Sequence, residues 1–87
     1  GNYPNPFNPS TTIALALDQE QRVKLEVFDA AGRLVKELHN GTLAAGRHNI
    51  TWNGRNSRGM QSASGIYFAR VSNDAGLTQS HRMMLVK

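Results

Sequence analysis

The sequence predicts an all-β fold, a small antiparallel β-sandwich of six or seven short strands. Three observations carry that prediction. Apolar and polar residues alternate from Thr11 to Leu17, from Arg22 to Asp29 and around Trp52, the period-2 pattern of half-buried strands. Clusters of Asp, Asn and Gly punctuate the chain between those stretches at fairly even spacing. No segment sustains the 3.6-residue apolar period over the length of a good helix. With 87 residues there is room for one domain. A chain of this size buries only about 60–65% of the surface its unfolded form exposes, so its core is thin. It contains no cysteine, and no disulfide supplements that core.

The elements follow in order. Asn2 to Ser10, NYPNPFNPS, holds Pro4, Pro6 and Pro9, which force extended or turn geometry and forbid a helix. Residues 1–10 therefore read as a proline-rich strap, with Tyr3 and Phe7 packing on the edge of a domain spanning 11–87. In TTIALAL, Ile13, Leu15 and Leu17 share one face, so this is a strand with that face on the core. Asp18 to Gln21 is a polar turn. In RVKLEVFD, Val23, Leu25 and Val27 point in while Lys24 and Glu26 point out. Ala30, Ala31 and Gly32 turn the chain into a hairpin partner, Arg33 to His39. Val35 and Leu38 cannot share a face of a regular strand, so a bulge is expected there. Asn40 to Gly46 reads as a loop.

Arg47 to Asn53 is the strand of Trp52, the only tryptophan. A lone Trp on a strand centres a small core because it buries so much area. Its expected neighbours are Val27, Tyr67 and Ala69. The run Ile66 to Val71 is the densest β-branched and aromatic stretch in the chain. About a dozen polar or glycine-rich residues separate the two strands, a length that must be functional or internally braced. Asn53 and Asn56 are expected to bond their own backbone in Asx-turns, with Gly54 and Gly59 permitting the tight path. After a turn at Asn73 to Gly76, Leu77 to Lys87 forms the last strand, with Met83 and Leu85 on one face and Met84 and Val86 on the other. Apolar residues on both faces lead us to expect that both are covered. This spacing of strands and turns fits an immunoglobulin-like sandwich.

Composition excludes several functions. Ten Lys and Arg stand against six Asp and Glu, a net charge of +4, but the cations never form a run. Nucleic-acid binding is not expected without a basic cluster interleaved with aromatics. No stretch approaches the length of a membrane-spanning helix. No signal-peptide pattern opens the chain, which reads as one domain of a longer protein. His39, His48 and His81 fall on separate strands and do not form a metal set. The 53–59 loop has a superficial likeness to a calcium loop, yet it offers Arg55 and Arg58 in place of carboxylates. No serine sits in a nucleophile elbow. The expectation is a module with no catalytic, cofactor-binding or metal-binding residues.

Five separated blocks add a resemblance. NYPNPFNPSTTI, VKLEVFDAAGRLVKEL, NGTLAAGRHNITWNGRNSRG, SGIYFARV and the closing RMMLVK are together similar to the C-terminal sorting domain, type A, of type IX (Por) secretion systems. The related fold family includes the immunoglobulin-like domain of the flagellar hook-capping protein. The resemblance implies a C-terminal module of a larger secreted protein that acts as sorting signal and cell-surface attachment domain. It implies passage through the periplasm to the outer-membrane surface or the medium. The implied partners are the outer-membrane secretion machinery, surface lipopolysaccharide, and an upstream catalytic or adhesive domain. The terminal residues Arg82, Met83, Met84, Leu85, Val86 and Lys87 would be read by the machinery, by strand addition to a receptor. Trp52, Asn53, Gly54, Gly59, Gly65 and Tyr67 would form the structural motif. Where the family loop usually carries Asp, this chain has Asn53 and Asn56, which argues further against a cation. The competing readings are a carbohydrate-binding module and a hook-cap-like assembly module.

Overall fold

Residues 10–86 are described by a computed structural model, and every regular element among them is a strand. The strands are β1 (Thr11–Leu17), β2 (Gln21–Asp29), β3 (Leu34–Leu43), β4 (Gly46–Trp52), β5 (Gly65–Asn73) and β6 (Thr78–Leu85). They form a two-stranded sheet, β1-β4, and a four-stranded sheet, β3-β2-β5-β6, with every pairing antiparallel. The hairpins β2-β3 and β5-β6 stay within the large sheet. The other three connections cross between sheets. Residues 1–9, nearly all of the expected strap, and Lys87 lie outside the described residues.

The alternation in the sequence becomes the core directly. Ile13 and Trp52, from the small sheet, close on Leu25, Val27, Tyr67, Ala69 and Leu85 from the large one. Trp52 has no exposed surface, and its ring meets that of Tyr67 edge-on at a centroid distance of 5.0 Å. The expected grouping of Trp52 with Val27, Tyr67 and Ala69 is therefore observed. Both aromatics also satisfy their polar tips. The Trp52 indole N–H donates to the Arg55 carbonyl at 2.9 Å, and the Tyr67 hydroxyl to the Ala63 carbonyl at 2.6 Å. The two ends of the long 53–64 connection are thus tied to the two largest core rings.

Two expectations need correction. β3 does not stop at His39 but runs on to Leu43, leaving only Ala44 and Ala45 as a turn. The physical reason is β2: with nine residues it offers partners as far as Gln21, which faces Leu43. The expected irregularity is present in this strand as two register shifts, between Leu25 and Glu26 and between Val27 and Phe28. The residues left without a β2 partner are Leu38 and Val35. Each bulge turns its apolar residue toward the core, where both pack.

The second correction concerns β6. Met83 and Leu85 do face the core, Leu85 at 2% exposure. The opposite face is open, with Met84 64% and Val86 67% exposed. The small sheet covers only one side of the large one, so the outer side chains of β6 have no layer over them among the described residues.

Candidate functional site

Three turns are built on one plan that sequence reasoning missed. Residues 29–33, 56–60 and 73–77 read DAAGR, NSRGM and NDAGL. In each, the side-chain Oδ1 of the first residue accepts backbone N–H groups two and four residues on. Asp29 takes Ala31 and Arg33 at 3.0 and 2.9 Å, Asn56 takes Arg58 and Met60 at 2.9 and 3.0 Å, and Asn73 takes Ala75 and Leu77 at 3.0 Å each. The N–H of the first residue also donates to the carbonyl of the fifth. The fourth residue is a glycine with φ of 87°, 79° and 86° respectively, a left-handed conformation that costs other residues steric strain. The repeated Asp or Asn, then Gly three residues later, was the signal available in the sequence.

One of these turns sits inside the long 53–64 connection, which is internally braced as expected. Asn53 Oδ1 accepts from Arg55 N–H at 3.0 Å, and Gly54 has a φ of 78°. Arg55 Nη1 donates to the Gly59 carbonyl at 2.9 Å, and Gln61 Nε2 to the Gly54 carbonyl at 3.1 Å. The connection also reaches out of itself: Ser57 N–H donates to the carbonyl of Val35, one of the bulged residues of β3, at 3.1 Å. Of the three residues that open these turns, Asp29, Asn56 and Asn73, only Asp29 is titratable. The backbone N–H of Arg33, and then its guanidinium at 3.0 Å, hold the Asp29 carboxyl below the usual carboxylate range.

Among the described residues no three His, Asp or Glu side chains gather as a metal set. His39 and His48 are occupied locally: their ring Nε2 atoms donate to the carbonyls of Gly41 at 3.2 Å and Ala44 at 2.7 Å.

The residue pairings lay out the outer face of the large sheet in tiers. Ile66 lies beside Met84. The next tier runs Leu34, Phe28, Phe68 and Arg82. The one after it runs Glu37, Glu26, Arg70 and Ser80. Arg70 also stacks on Phe28, 4.2 Å from its centroid. One end of this face is therefore apolar, and its β5-β6 side is cationic. Of the terminal residues singled out from the sequence, Arg82, Met84 and Val86 are exposed on this side, whereas Met83 and Leu85 belong to the core.

This architecture can now be placed among known proteins. The model of the FlgD Ig-like domain matches residues 5–76. The chain belongs to that family. It is 32% identical over 71 residues to the basal-body rod modification protein FlgD of Salmonella typhimurium, covering 80% of this chain and 31% of that protein. The same figures hold for the protein of that name from Salmonella typhi. The chain thus spans about a third of the length of the curated relatives it matches. Among solved structures it is similar to FlgD from P. aeruginosa, with a TM-score of 0.68, 26% identity, and coverage of 87% of this chain and 60% of that one. FlgD from Xanthomonas campestris, described in terms of hook capping essential for flagellar assembly, gives a TM-score of 0.63 and 28% identity over 90% and 58% of the two chains.

These findings overturn the type IX reading. The sorting-signal function, the secretion machinery and lipopolysaccharide as partners, and a surface-attached location all give way to the hook-capping relatives. The physical reason lies in the blocks that suggested them. They hold the β2-β3 hairpin with its bulges, the Trp52 strand with its braced connection, and β5. Those residues build a sandwich, and a scaffold does not specify its use.

Proposed function

We propose that this chain is the immunoglobulin-like assembly module of a longer hook-capping protein, acting by protein contact and without catalysis. Residues 11–87 form the module in this reading, and residues 1–10 the strap that joins it to the rest. The single observation that supports it is the family match, which takes in Trp52, the braced connection and Tyr67 together. The rigidity of that part of the molecule suits a structural role. Both core rings, the side-chain caps of Asn53 and Asn56 and the Ser57–Val35 bond leave the connection little freedom to act as a lid. The carbohydrate-binding reading gains nothing, since Trp52 and Tyr67 are buried and Phe28 and Phe68 half-buried.

The test is a domain exchange in Salmonella typhimurium. The matched segment of its FlgD is deleted in one strain and replaced by this chain in another. Hooks are scored by electron microscopy and swimming in soft agar. The deletion should abolish normal hooks and the replacement should restore them at least in part. A replacement protein made at normal levels that leaves hooks as in the deletion strain would refute the reading, as would a deletion without effect.

A further inference from the structure

We propose that β6 is a docking edge that takes an extended strand from another protein, one presenting an acidic residue opposite Arg82 and an aliphatic residue opposite Met84. This deepens the assembly reading and rests on it only for the premise that the module works by binding protein. β6 also lies beyond the residues matched to the family model, which end at residue 76.

The backbone comes first. Among the described residues β6 has β5 on one side and no strand on the other. Its pairing with β5 is continuous from Thr78 to Leu85, without a register shift. It contains no proline, lysine or carboxylate. Natural edges are commonly blunted by prolines, lysines or bulges, and a long regular edge lacking them is a template for pairing. The hydrogen-bond phase is set at the turn, where Asn73 N–H donates to the Leu77 carbonyl. In an antiparallel ladder, bonded and non-bonded pairs alternate. Gln79, His81, Met83 and Leu85 therefore spend their backbone groups on β5. Thr78, Ser80, Arg82 and Met84 turn theirs to the open edge.

The side chains come next. The four residues with free backbone groups also project their side chains onto the outer face, because residues of one parity share a face. A strand added to this edge would place its own side chains beside theirs. Arg82 would face one of them, with Phe68 on its other side; Met84 would face another, with Ile66 behind it. β5 and β6 contain Arg70 and Arg82 and no carboxylate. An acidic residue beside Arg82 answers that charge, and an aliphatic one beside Met84 covers a side chain that is now 64% exposed. A second copy of the chain fits less well, since antiparallel self-pairing of β6 about its middle brings the two Arg82 side chains together.

The edge is probed with a synthetic peptide of about eight residues, the length of an ordinary strand. It carries threonine at every second position, with valine and glutamate alternating between them. Amide hydrogen exchange of the whole chain is followed by NMR. The peptide should slow exchange at Thr78, Ser80, Arg82 and Met84 while leaving the four intervening amides unchanged. A peptide with lysine for glutamate should bind about fivefold more weakly, the scale of an exposed charge pair. Arg82→Glu should reverse that preference. Slow exchange at all four amides in the free chain would overturn the proposal, because the edge would already be covered by residues 1–9 or a second copy. Absence of the alternating pattern with saturating peptide would overturn it as well. If that occurs while the domain exchange still restores hooks, the assembly role stands and the β6 edge is not its means.

Discussion

β3 and β6 are the two edges of one sheet, and they are finished in opposite ways. β3 carries two bulges, and the carbonyl at one of them, Val35, is taken by Ser57 from the long connection. β6 is regular throughout and pairs only with β5 among the described strands. Bulges bend a strand and break the repeat of its free backbone groups, so β3 is a poor template for a further strand. The same device turns Val35 and Leu38 onto the core, so on β3 one feature both closes the edge and adds apolar burial. β6 obtains its burial without irregularity, from Met83 and Leu85, and its outer residues are left for other uses. An edge can thus be closed by its own sequence or left open by it.

The sharpest way to test that contrast is to truncate the same residue type on each edge. Leu85 of β6 is 2% exposed and Leu34 of β3 is 56% exposed. Leu85→Ala should cost about 2–4 kcal/mol, the range for a buried leucine, a large fraction of the stability of so small a domain. Leu34→Ala should change stability by no more than about 0.5 kcal/mol. Urea unfolding of both variants decides it: equal losses would mean that β6 is not anchored from within as described.

A smaller effect separates the edges by what covers them. Asn56→Ala removes the acceptor for the Arg58 and Met60 amides and should cost about 1–2 kcal/mol. Exchange of the Ser57 amide, bonded to Val35, should speed up beyond the global change, with β6 amides following the global change alone. Selective acceleration on β6 instead would break the assignment of the connection to the β3 edge.

The smallest effect is in acid. The β2-β3 hairpin turns on Asp29 and the β5-β6 hairpin on Asn73, in the same geometry. Asp29 has its folded-state pKa depressed by the Arg33 N–H and guanidinium. A depressed carboxylate contributes stability above its unfolded pKa of about 4 and loses it as pH falls through the lower folded value. Asp29→Asn keeps the Oδ1 acceptor and removes the titration. Thermal melts should show the variant slightly less stable than the parent at neutral pH and losing less stability below about pH 4, so that the two converge in acid. A parent and variant with the same acid dependence would show that the Arg33 contacts do not favour the ionised form.

Local pattern accounts for what was readable in the chain. The alternation in RVKLEVFD assigned Leu25 and Val27 to the inner face, Tyr67 and Ala69 of the aromatic-rich run were expected against Trp52, and all four are core. Asn53, Asn56, Gly54 and Gly59 were readable because an Asx-turn or a left-handed glycine closes within a few residues and needs nothing distant. The misplacement of Val35 and Leu38 in any regular strand announced a bulge for the same reason.

What the sequence left undecided was non-local. Period-2 alternation sorts residues between two faces but does not say whether a layer lies over either one. Met84 and Val86 were assigned to the right face, but no layer of the described residues covers them, because the small sheet lies over one side only. The end of β3 at Leu43 depended on the reach of β2, a partner distant in the chain. The functional reading failed for a related reason. The blocks between residues 23 and 71 that suggested sorting are mostly strand, turn and core residues, whose spacing is dictated by the sandwich itself. The sequence by itself determined the strands, their inner faces and their turns, since these are set by neighbours along the chain. The tertiary structure decided which strands became edges and which face stayed open, since these depend on strands brought together from far apart.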